Sequence, residues 1–102
     1  MSTDHRSNAQ AKVDGFLGLL RSDPNNKQLQ PIIDECESLS RAIAAFHLEG
    51  IRFRMFNVDR LLSRGTLPIP SSAAGIFAEV RRELEAAGFH TRSHQAPPTT
   101  TA

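Results

Sequence analysis

A chain of 102 residues with a formal net charge of +1 is sized for one domain that buries roughly 65% of its unfolded surface, and its near-neutral balance argues against a dedicated nucleic-acid binder. One cysteine excludes a disulfide-stapled scaffold. The polar start Met1-Ser2-Thr3-Asp4-His5-Arg6 has no signal-peptide core, and no run approaches the ~18 apolar residues of a membrane span, so the expectation is a cytoplasmic protein with no membrane role.

The chain order predicts an all-α small helical bundle of three to four helices, with a long central helix or helical hairpin. Residues 1–6 are expected to be a flexible N-terminus, 7–90 the bundle domain and 91–102 a disordered tail rich in Ser, Thr, Pro and Gln. Ser7-Asn8-Ala9-Gln10 has the Ser-x-x-Gln form of a capping box. Ala9, Val13, Phe16, Leu17 and Leu20 then recur at helical spacing. Asp23-Pro24-Asn25-Asn26 reads as a stop and a turn, and Pro31 places the start of the second helix close to itself, because proline is tolerated only in a first turn.

From there Ile32, Cys36, Leu39, Ile43 and Phe46 form a narrow apolar seam of the coiled-coil kind. Gly50 is open to two readings: a left-handed residue ending the helix, or a close-approach point inside one continuous helix. In the continuous reading, Leu48, Ile51, Met55 and Leu62 make a second seam. Residues 51–58 alternate at first like a strand, but Phe56 and Val58 break the alternation and no second strand-like run exists to pair with, so helix is expected. Gly65 to Pro70 is an extended connector. Ser71 or Ser72 caps a last helix carrying Ile76, Phe77, Val80, Leu84 and Ala87 on one face, with Gly88 past its end.

Chemistry is sparse. Cys36 lies on the seam between Glu35 and Glu37, a setting that disfavours the thiolate. His90 and His94 have ligand spacing without a third donor. Asp34, Glu35 and Glu37 point different ways on a helix and make no acid/base dyad. No catalytic residue, cofactor or metal is therefore assigned, and no enzymatic activity is expected. Ten of the twelve basic residues are arginine, a bias that GC-rich coding also produces. Arg52, Arg54, Arg60 and Arg64 spread around the helix instead of forming a phosphate-tracking stripe, which leaves a nucleic-acid-associated regulator using segment 52–64 as a distant alternative.

The run His47-Leu48-Glu49-Gly50 resembles the His-x-Leu-Lys-Gly signature of histidine phosphotransfer domains, one residue shorter and with Glu49 near the place of the lysine. The resemblance implies a phosphorelay alternative in which His47, exposed on a bundle helix, accepts a phosphoryl group. The main expectation is different. Six phenylalanines without Trp or Tyr belong in dry contacts, and the segment around residues 46–62 has more apolar surface than a small monomer covers. The candidate interface is Phe46, Ile51, Arg52, Phe53, Arg54, Met55 and Phe56, in a protein-interaction or regulatory module that forms a homodimer and engages a protein partner.

Overall fold

The computed structural model describes residues 4–89, and among these there are four helices and no strand. They are α1 (His5–Arg21), α2 (Gln30–Ala44), α3 (Leu48–Arg64) and α4 (Ala73–Ala86). The expected tail over 91–102 and the pair His90 and His94 lie outside the described residues.

Helix α1 begins upstream of the expected cap, because Asp4 takes the N-cap role: its carboxylate accepts the Ser7 N–H at 3.0 Å and the Ser7 hydroxyl at 2.8 Å. A carboxylate at a helix N-terminus also meets the positive end of the macrodipole, and the hydrogen bonds from Ser7 hold the Asp4 carboxyl below its ordinary range. Residues 5 and 6 are thus helical, where a flexible arm was expected. The stripe Ala9, Val13, Phe16, Leu17 and Leu20 is buried throughout.

A chain of tight turns follows α1, with the Asp23 carboxylate accepting the Asn25 N–H at 2.7 Å. Helix α2 then starts at Gln30 with Pro31 in its first turn, where the missing amide costs nothing. Helix α1 packs between α4 and α2, and α2 carries α3 on its other side. Helices α2 and α3 form an antiparallel hairpin: Glu35, toward the start of α2, accepts from Arg54 at 3.2 Å near the middle of α3 and from Asn57 at 3.1 Å in its second half. Arg81 on α4 reaches Asp59 on α3 at 2.6 Å and joins the last pair of helices. Across α1 and α4, His5 meets Glu83 at 2.6 Å and Lys12 meets Glu79 at 3.1 Å. The hydrogen bond from His5 lowers the Glu83 pKa.

Four apolar faces close one core. Phe16 and Phe77 meet in it as an edge-to-face pair with centroids 5.2 Å apart, and Leu20, Ile32, Leu39, Ile43 and Leu84 of the same core are all fully buried. Leu67 and Ile69 of the connector and Phe89 after α4 pack against it. Ala87, expected on the apolar face of α4, is exposed as its C-cap. Ser72 stands at the N-cap of α4 but its side chain makes no capping hydrogen bond.

Candidate functional site: the α2–α3 joint and the outer face of α3

Neither reading of Gly50 describes the joint. Helix α2 ends at Ala44, and the left-handed residue that turns the chain is Phe46, with φ 57°. The hydrogen bonds are those of a Schellman motif, Phe46 N–H to Ile43 O at 3.1 Å and His47 N–H to Ala42 O at 2.9 Å. The same pair of bonds closes α4, from Gly88 to Glu85 and from Phe89 to Leu84, with glycine at the left-handed position (φ 98°). A phenylalanine there costs about 1–2 kcal/mol that glycine avoids. The residue expected to extend the α2 seam is instead 64% exposed. Its ring lies under the Arg6 guanidinium at 4.6 Å and 6.4 Å from Phe89.

His47 is the N-cap of α3. Its backbone is extended (φ −92°, ψ 92°), and its Nδ1 accepts the Gly50 N–H at 2.8 Å, an imidazole nitrogen doing the work of a capping oxygen. A neutral ring accepting at Nδ1 carries its proton on Nε2. Gly50 makes the cap possible, since a Cβ there would stand 2.7 Å from His47 Nδ1 and 3.2 Å from the Ala42 Cβ. Gly50 is thus a close-approach point, but in the first turn of a new helix. The exposed histidine expected on a helix face instead sits at a helix start, beside Glu49. Replacing His47 with alanine should lower stability by about 1 kcal/mol, with asparagine restoring most of it; urea denaturation of the two variants measures this.

Apart from Phe46 at the turn, the structure sorts the other six candidate interface residues into three groups. Ile51 and Met55 are fully buried with Val58 against α2 and the core. They cannot face a partner, which corrects the expectation. Of the second seam, Ile51 and Met55 are consumed inside the monomer once α3 folds back on α2 and Leu62 packs against the core, while Leu48 stays 38% exposed. Arg52 and Arg54 occupy the flanks. Arg54 binds Glu35 and lies over the Phe53 ring at 5.0 Å. Arg52 reaches Glu49 at 3.3 Å, while its Nε is buried without a hydrogen-bond partner, consistent with a stem laid along the bundle surface.

Phe53 and Phe56 form the third group, on the side of α3 away from the core. At 3.6 residues per turn, Glu49, Phe53, Phe56 and Arg60 fall within about 60° of one another, on the face opposite Ile51, Met55 and Val58. Phe53 is 41% exposed, Phe56 is half-buried, and Arg60 lies over the Phe56 ring at 5.7 Å. Sequence reasoning found these phenylalanines but not their separation from Ile51 and Met55, which share a segment and point the opposite way. The 4-3-4 spacing of residues 49, 53, 56 and 60 was the signal that could have found the face.

The remaining chemistry is dispersed. An open cleft of about 360 Å³ between α2 and α3 is lined by Asp34, Glu35, Arg60 and Arg64 among others, a mixed-charge surface. Asp34, Glu35 and Glu37 take separate partners, namely Gln30, the Arg54–Asn57 pair and Arg21. Among the described residues no three His, Cys, Asp or Glu side chains come together as a metal site, and no helix is long and apolar enough to cross a membrane. Cys36 is fully buried, and desolvation, with the Glu35 and Glu37 charges, pushes its thiol up to about 12. At pH 8 the thiolate fraction is then roughly one part in ten thousand. A thiol reagent should leave the native protein unlabelled and react only on denaturation; stoichiometric labelling of the folded protein within minutes would contradict this burial.

Comparison with protein-family models, with curated proteins and with solved structures found no match.

Proposed function

We propose that this protein is a small helical interaction module that self-associates through the exposed face of α3 and acts by binding another protein. One observation carries the reading: the core is closed by four helices, yet Phe53 at 41% exposure and Phe46 at 64% remain in solvent, with Phe56 beside Phe53 on the same helical face. Phenyl rings have no polar tip to hydrate, and aromatic and arginine side chains together make the chemical signature of interface centres and rims. The strained backbone under Phe46 adds support, because glycine would serve that turn at lower cost.

The arginines fit a protein surface better than a phosphate groove. Arg52 and Arg54 are engaged by Glu49 and Glu35, and an acidic neighbour opposes phosphate contact. His47 has a structural role as a cap, which accounts for its position without phosphoryl chemistry. Sedimentation equilibrium at tens of micromolar tests the proposal. A dimer or higher species is expected, and a monomer at all accessible concentrations overturns self-association.

A further inference from the structure

Resting on the self-association just proposed, we infer that the occupant of the outer α3 face is α3 of a second copy, antiparallel, with Phe53 of each protomer against the partner's Phe56 and Glu49 against the partner's Arg60. Residues 49, 53, 56 and 60 repeat at intervals of four, three and four, the spacing of a coiled-coil seam, and all four lie on the side of α3 away from its own core.

Charge decides the direction. A parallel pairing would place Glu49 on Glu49, Phe53 on Phe53 and Arg60 on Arg60, setting like charges against each other at both ends. The antiparallel arrangement, with its twofold axis midway between Phe53 and Phe56, makes two phenyl layers at the centre. Each end is then flanked by a carboxylate and a guanidinium. Each residue of the pair also matches its own helix: Glu49 is in the first turn of α3 and Arg60 is near its end, so the antiparallel helices bring opposite dipole ends together. Arg60 has the Phe56 ring as its described contact and stays within reach of an incoming carboxylate, and Glu49 is 64% exposed while bonded to Arg52.

The seam is short. From residue 49 to residue 60 it spans about 17 Å of helix, so the contact area falls at the low end of specific interfaces, and a reversible dimer in the micromolar range is the expected form. The isologous geometry is that of a C2 pair, in which each residue contact occurs twice.

A charge swap tests the register. Glu49→Arg alone and Arg60→Glu alone should each weaken the dimer on the order of tenfold, because each replaces two attractive pairs with two repulsive ones. The double variant Glu49→Arg/Arg60→Glu should recover most of the wild-type affinity in sedimentation equilibrium. A second measurement mixes Glu49→Cys protein with Arg60→Cys protein under mild oxidant. In an equimolar mixture the mixed disulfide should clearly exceed the half share of all disulfides that random pairing gives, with buried Cys36 contributing nothing. A wild-type dimer with unaltered affinity in both single swaps, or a mixed disulfide no more abundant than the random half share, overturns this register while leaving self-association standing. A monomeric wild type overturns both.

Discussion

Phe53→Asp is expected to dissociate the protein into folded monomers. Position 53 lies on the outer side of α3 and is 41% exposed, so in the monomer an aspartate there meets water and leaves the buried core untouched. In the paired state the carboxylate would lie against apolar rings, and burying a charge without a partner costs several kcal/mol. Twofold symmetry applies that cost twice, so the dissociation constant should rise on the order of a hundredfold or more. Sedimentation equilibrium reads the assembly and circular dichroism the helix content. Met55→Asp supplies the contrast, because Met55 is fully buried in the monomer and its charged variant should lose helix content altogether. A Phe53→Asp protein that associates like wild type would remove α3 from the interface.

Phe77→Ala should cost about 3–5 kcal/mol of stability, the range for truncating a buried aromatic ring. The ring is 2% exposed and meets Phe16 edge to face at 5.2 Å, at the contact between α1 and α4. A small domain has only about 5–15 kcal/mol in total, so this variant stands close to its unfolding threshold at 25 °C. Phe16→Ala should be comparably severe. The double variant should cost less than the sum, because the first truncation already removes the ring pair. Urea denaturation at one fixed protein concentration provides the comparison, since self-association would make apparent stability depend on concentration. A loss below about 1 kcal/mol for Phe77→Ala would mean that the two rings do not hold these helices together.

The interface expectation shows where local sequence stopped being informative. Residues 51–56 read as one apolar and arginine-rich block, and every member was a candidate contact. Helical phase alone separates Ile51 and Met55 from Phe53 and Phe56, but which of the two faces turns inward depends on where α2 ends. That end depends on Phe46 adopting a left-handed backbone, a conformation rare enough for a bulky residue that Gly50 was the natural place to look. With the turn at Phe46, His47 falls at the N-cap and Gly50 in the first turn. The chain then folds back, and the seam containing Ile51, Met55 and Val58 is the one that meets α2.

What the sequence determined by itself were the features set by short-range periodicity and cap chemistry. The α1 stripe from Ala9 to Leu20, the seam of α2 from Ile32 to Ile43, the start of α2 close to Pro31 and the glycine end of α4 all follow from side chains three and four residues apart or from backbone restrictions of single residues. Burial of Cys36 follows the same way, from its place in the α2 seam. Tertiary structure decided that the α2–α3 hairpin closes at Phe46 and that Ile51 and Met55 are core while Phe53 stays outside. Helical phase offers two faces of α3, and packing against α2 buries the one that carries Ile51, Met55 and Val58.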